Sequence, residues 1–116
     1  MFDFQKLKVY IKAKRFHLDC KALIIENKLD NYVTNQLGRA SFSVPLNIAE
    51  GSGKFSKADR KNYFTTARSS VFECVAIVDL LGDQGLIADN QRDKLIHEAD
   101  ELSRILYSMI TNLSKG

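Results

Sequence analysis

Gln36-Leu37-Gly38-Arg39-Ala40-Ser41-Phe42-Ser43-Val44-Pro45-Leu46-Asn47-Ile48-Ala49-Glu50-Gly51 places its polar residues at helical rather than loop spacing. At about 100° per residue, Gln36, Arg39, Ser43, Asn47 and Glu50 fall within an arc of roughly 80°. Val33, Leu37, Ala40, Val44 and Ile48 lie on one side of that arc, and Phe42, Leu46 and Ala49 lie on the other. A polar stripe with apolar residues on both flanks is not simply a solvated face. Either it is a buried hydrogen-bonded network, in which Arg39 and Glu50 must be paired because unpaired buried charge is costly, or it lines an interface or a groove. Glu73, on the next helix, is a candidate partner for Arg39 across the bundle. If the stripe is buried, Arg39→Ala or Glu50→Ala should cost on the order of a few kcal/mol, and Lys57→Ala with Lys61→Ala should not.

Outward from this stretch, apolar positions recur at three and four, with no sustained period-two alternation, so the chain reads as all-α. A first helix is predicted from about Asp3 to Asn27 and carries two apolar faces. One holds Phe4, Leu7, Ile11, Leu18, Ala22 and Ile25, and the other Val9, Phe16, Cys20, Leu23 and Ile24. Two faces imply more than one packing partner. The second helix spans roughly Tyr32 to Glu50 and ends at Gly51-Ser52-Gly53, where glycine can take the left-handed cap conformation. Pro45 inside it removes a backbone donor and predicts a kink near Ser41 to Pro45. Ser56 followed by Asp59 starts a third helix near Lys57, with Phe64, Ala67, Val71, Cys74, Val78 and Leu81 as its core stripe, ending by Gly82. Asp89 or Asn90 caps the fourth, whose Leu95, Ala99, Leu102, Leu106, Met109 and Leu113 form a bundle seam. Four helices joined by short loops predict one domain over residues 1–116, an antiparallel up-down-up-down four-helix bundle.

Composition agrees with a globular chain: 45% hydrophobic, 27% charged and one proline in 116 residues. No apolar run approaches a membrane span and the N-terminus lacks a cleavable leader, so a cytoplasmic protein without a membrane role is expected. Cys20 and Cys74 lie in apolar surroundings with no CxxC pair, which predicts free buried thiols. His17 and His97 share no ligand motif, and neither a metal nor a cofactor is expected.

The net charge of +3 conceals an asymmetry: residues 1–68 carry 13 Lys/Arg against 6 Asp/Glu, and residues 69–116 carry 4 against 8. Such a split brings basic and acidic helices together or leaves a basic surface for phosphate. The best nucleic-acid candidates are Lys54, Lys57, Arg60, Lys61 and Arg68, following the glycine loop, with Phe64 as either a stacking aromatic or a core residue. A second basic edge is Lys8, Lys12 and Arg15, with Lys14 and Lys21 on another side of the same helix. No pattern for specific base readout occurs. Catalysis finds little support, because Ser43, Asn47 and Glu50 have no histidine beside them in sequence and Gly51-Ser52-Gly53-Lys54 lacks phosphate-loop spacing.

The second and third helices also carry a family resemblance. Gln36, Arg39-Ala40, Ser43, Pro45, Asn47-Ile48-Ala49-Glu50-Gly51, Gly53, Ser56, Phe64, Ala67, Ser69-Ser70 and Glu73 resemble the small bacterial four-helix-bundle proteins encoded by intervening sequences in large-subunit ribosomal RNA genes. Phe2-Asp3-Phe4 and Leu80-Leu81-Gly82 extend the resemblance over essentially the whole chain. The accessory protein of diversity-generating retroelements looks like a relative. The resemblance implies a ring-like homopentamer without established catalytic activity and, by analogy with the retroelement relatives, binding to RNA or DNA and to a reverse transcriptase. Two positions depart from the usual pattern: Arg68, where glycine or lysine is usual before the two serines, and Phe55, where a basic residue often stands. The sequence thus supports two functions, a non-catalytic oligomeric nucleic-acid-binding accessory protein or a protein-interaction scaffold with no nucleic-acid role.

Overall fold

A computed structural model describes residues 1–115. A short 3-10 helix, Asp3–Lys6, precedes four α-helices: α1 (Lys8–Asn27), α2 (Asn31–Ser52), α3 (Lys57–Asp83) and α4 (Asp89–Ser114). No strand occurs among the described residues. Each helix packs on its neighbours in a closed circuit, α1 on α2, α2 on α3, α3 on α4 and α4 on α1, while diagonal pairs meet only through side chains in the core. This is the up-down-up-down arrangement that short connections dictate.

The core is built from one stripe of each helix. Phe16, Leu37, Ile48, Leu102 and Leu106 are the largest side chains sealed inside, with Val44, Val71 and Val78 between them. Burying each of the larger ones contributes about 1.5–3 kcal/mol relative to leaving it in water. Of the two apolar faces of α1, the one bearing Val9, Phe16, Cys20, Leu23 and Ile24 is the core face. The other points outward: Ile11, Leu18 and Ile25 are 49%, 64% and 71% exposed. In α2, likewise, Val33, Leu37, Ala40, Val44 and Ile48 are buried, and Phe42 and Leu46 are exposed.

Three local expectations are corrected. The first helix is broken at Leu7, whose extended backbone (φ −69°, ψ 129°) separates the 3-10 turn from α1. α2 spans Asn31–Ser52 with Pro45 inside it, where the missing N–H leaves the Ser41 carbonyl without its usual partner, as expected of a proline within a helix. α2 does not end on a left-handed glycine, since Gly53 has φ −88°. Gly51 instead serves close packing, because a Cβ there would stand 2.8 Å from Phe64 Cε1 and 2.9 Å from Tyr63 Cβ. α4 is capped at Ala88, whose N–H donates to Gln91 Oε1 at 2.9 Å, with Asp89 already inside the first turn. The Ser56 cap is as predicted: its Oγ accepts from the Asp59 N–H at 3.0 Å.

Cys20 and Cys74 are free and buried. The neighbouring Cys74 thiol and burial together push the Cys20 thiol far up from its ordinary value, leaving it protonated.

Candidate nucleic-acid interface

The antiparallel arrangement gathers the start of α1, the end of α2, the start of α3 and the end of α4 at one end of the bundle. Residues 1–15, 46–63 and 103–115 carry 11 Lys/Arg against 3 Asp/Glu; the rest of the chain carries 6 against 11. The charge difference between sequence halves thus becomes a difference between the two ends of a molecule 46 Å long.

The connection from α2 to α3 is the centre of the basic end. Arg60 folds back so that its Nε donates to the Lys54 carbonyl at 2.7 Å. The Lys54 ammonium sits 5.1 Å from the Tyr63 ring centroid. Held between these contacts, Phe55 is 100% exposed. Lys57 and Lys61 are exposed and form no ion pair among the described residues. They lie in the first turns of α3, where the helix dipole adds partial positive charge. Cations around an accessible aromatic ring are suited to phosphate contact with base stacking.

The remaining sequence candidates divide. Phe64 is 5% exposed and is a core residue, so it cannot stack on a base, and the accessible aromatic of this end is Phe55. Arg68 does not join the patch. Its Nε donates to the Ser103 carbonyl at 3.2 Å, and its guanidinium lies 4.7 Å from the Phe72 centroid and 5.4 Å from that of Tyr107, clamping α3 to α4. Lys12 forms an ion pair with Glu101 of α4, bringing a basic and an acidic helix together within the fold. Lys8 and Arg15 remain exposed without an ion pair among the described residues, Lys8 at the basic end.

The polar stripe of α2 lines a groove and is not a buried network. Gln36, Arg39 and Glu50 are exposed, as is Glu73 of α3, and Arg39 pairs with neither carboxylate. Gln36, Arg39, Ser43, Ser70 and Glu73 surround an open groove of about 360 Å³ between α2 and α3. On its floor the Ser43 and Ser70 hydroxyls bond at 2.9 Å, and Asn47 Nδ2 donates to both the Ser43 carbonyl and its Oγ. The hydroxyls are satisfied by one another, so Arg39 and Glu73 are free to meet solvent.

Two polar clusters escaped sequence reading because their members lie on different helices. His17 Nδ1 and Ser41 Oγ are 2.8 Å apart across α1 and α2. Ser41 is fully buried and its hydroxyl also donates to the Gly38 carbonyl, while burial and nearby Lys21 hold the His17 imidazole below its ordinary value. Between α1 and α4, burial and then the neighbouring Asp19 carboxyl push the Glu98 carboxyl up to about 7, with Lys94 and Arg15 acting the other way. One Glu98 oxygen is buried without a hydrogen-bond partner.

No helix among the described residues is long and apolar enough to cross a membrane. Among solved structures the chain is similar to a protein of unknown function from the S23 ribosomal protein family of Bacteroides thetaiotaomicron. The two share 22% identity with a TM-score of 0.82, over 88% of this chain and 97% of the other. That likeness shows the fold. No curated protein matches. The model of the 23S rRNA-intervening sequence proteins matches residues 5–108, and the chain belongs to that family.

Proposed function

We propose that this chain is a non-catalytic accessory protein that assembles with copies of itself and binds nucleic acid, RNA in preference to DNA, through the basic end of the bundle. The observation that carries the reading is Phe55, wholly exposed beside Lys54, Lys57 and Lys61. An aromatic ring left in water among unpaired cations gains from a stacked base, and the cations gain from its phosphates. Assembly strengthens such a site, since several copies engage one polyanion at a high effective concentration. The family resemblance supports a homopentamer in the cytoplasm, with a reverse transcriptase as a candidate protein partner. The absence of an enzyme function is part of the proposal. It is supported by Ser41, the one serine among the described residues with a histidine bonded to its side chain, being sealed in the core where no substrate reaches it.

The second reading, a protein-interaction scaffold without a nucleic-acid role, is favoured by the outward apolar residues Leu18, Ile25, Phe42 and Leu46. Fluorescence anisotropy of a labelled structured RNA, titrated with the protein at several salt concentrations, separates the two. Binding that weakens steeply with salt is the expected result. A flat titration down to low salt, with a partner protein recovered instead, establishes the scaffold.

A further inference from the structure

The N-terminal 3-10 helix leaves a space behind it at the basic end. Its backbone approaches α1 and α2 but neither α3 nor α4, and Phe4 is pinned edge-on to the Tyr10 ring, with centroids 4.9 Å apart. An open cleft of about 730 Å³ lies between this segment, the end of α2, the first turns of α3 and the last turns of α4. Its volume falls within the roughly 300–1,000 Å³ of small-molecule sites. Phe4, Leu7, Phe64, Met109 and Leu113 supply hydrocarbon walls.

The polar groups of the cleft are few and unequal. Ser52 spends its hydroxyl on the Ile48 carbonyl at 2.7 Å. Asp3 and Asn112 are exposed to water. Arg60 is half-buried, and its Nε donates to the Lys54 carbonyl, which fixes the guanidinium in place. Its terminal nitrogens meet no carboxylate among the described residues. A fixed guanidinium beside hydrocarbon suits an anionic head on an apolar chain, because paired N–H donors match a carboxylate and every methylene taken out of water adds to affinity. A nucleobase suits the cleft less, since its polar edge would lie unpaired against phenyl and alkyl groups. The cations of this end add to the attraction for an anion, and Asp3, screened by water, subtracts little.

We propose that this cleft binds a single-chain alkyl carboxylate, a free medium-chain fatty acid, with its chain between the 3-10 helix and α4 and its carboxylate on Arg60. The site is separate from the nucleic-acid reading, since Phe55, Lys57 and Lys61 do not line the cleft.

The test is isothermal titration calorimetry of the full chain with decanoate, and with decan-1-ol as its uncharged counterpart, at a pH where the carboxylate is ionised. The parent is expected to take up one decanoate per chain with a negative heat-capacity change, and to bind decan-1-ol about tenfold more weakly. Arg60→Gln keeps a donor for the Lys54 carbonyl and is expected to erase that tenfold difference. Ala49→Phe fills the cleft and is expected to lose both ligands. If circular dichroism shows Ala49→Phe melting early, Asn112→Trp, at an exposed position, takes its place as the filling variant. Adenosine monophosphate, titrated in parallel, is expected to give no heat that the filling variant removes. The proposal falls if decanoate does not bind, if filling the cleft leaves its binding intact, or if the acid and the alcohol bind equally to the parent. It falls as well if filling abolishes binding of the nucleotide and not of the acid, which would give the cleft to a base.

Discussion

The two ends of the bundle are made of the same four helices yet differ in what they present to solvent. At one end, residues 1–15, 46–63 and 103–115 bring 11 cations together with 3 carboxylates, and a connection of a few residues holds Phe55 in water. At the other, Asp30, Asp83 and Asp89 cluster about two connections. There the two large apolar residues of the α3–α4 loop divide, Ile87 folded into the core at 5% exposure and Leu86 half covered at 46%. Neither loop residue of the acidic end is left as bare as Phe55, and an aromatic wholly exposed beside lysines is the feature that sets the basic end apart.

The sharpest way to break this contrast is Phe55→Ala. Losing a stacked base is expected to weaken RNA binding by about 1–3 kcal/mol in an anisotropy titration, with melting unchanged because the ring touches no core residue. Unaltered affinity would remove Phe55 from the interface. Next in size is Glu98→Gln, away from both ends. Its carboxyl, pushed up to about 7 from an ordinary 4.5, favours the protonated folded form. Its contribution is therefore fully present below the unfolded value and lost as pH rises to about 7. His17, held low, acts oppositely by losing stability as pH falls through its unfolded value of 6.5, so the variant must be compared with the parent across pH. Urea unfolding at pH 8 should find Glu98→Gln more stable by roughly 1–2 kcal/mol, allowing for the solvent around this group, with little difference at pH 4. Equal gains at both pH values would exclude titration as the cause.

Arg39→Ala and Glu50→Ala are expected to change stability by no more than about 0.5 kcal/mol, since both side chains are exposed and unpaired. Losses of several kcal/mol in thermal melting would restore the buried network. The smallest effect is expected from Asp83→Asn at the acidic end. The screening length is about 10 Å at 0.1 M salt, far shorter than the 46 Å molecule, so RNA affinity should shift less than about twofold.

These expectations separate what was legible in the sequence from what was not. The core stripes of all four helices follow from apolar spacing, which is why Leu37, Val71 and Leu102 lie where periodicity places them. Spacing also revealed both apolar faces of α1, yet nothing local says which of two equally apolar stripes turns inward; that depends on the three other helices. The polar stripe of α2 was visible, but its pairing was not, because Ser43 bonds to Ser70 on another helix. Lysines and arginines look alike in sequence. Only the fold reveals that Arg60 braces its own loop, Arg68 clamps α4 and Lys12 is neutralised by Glu101, leaving Lys57 and Lys61 unpaired.

The most direct test of the account is the salt dependence of RNA affinity in the parent and in Lys57→Ala with Lys61→Ala. The basic end predicts that the double variant melts with the parent while its slope of log affinity against log salt is shallower by about 1.4–1.8, two phosphate contacts having been lost. An unchanged slope, at unchanged stability, would contradict the assignment of this end as the nucleic-acid interface.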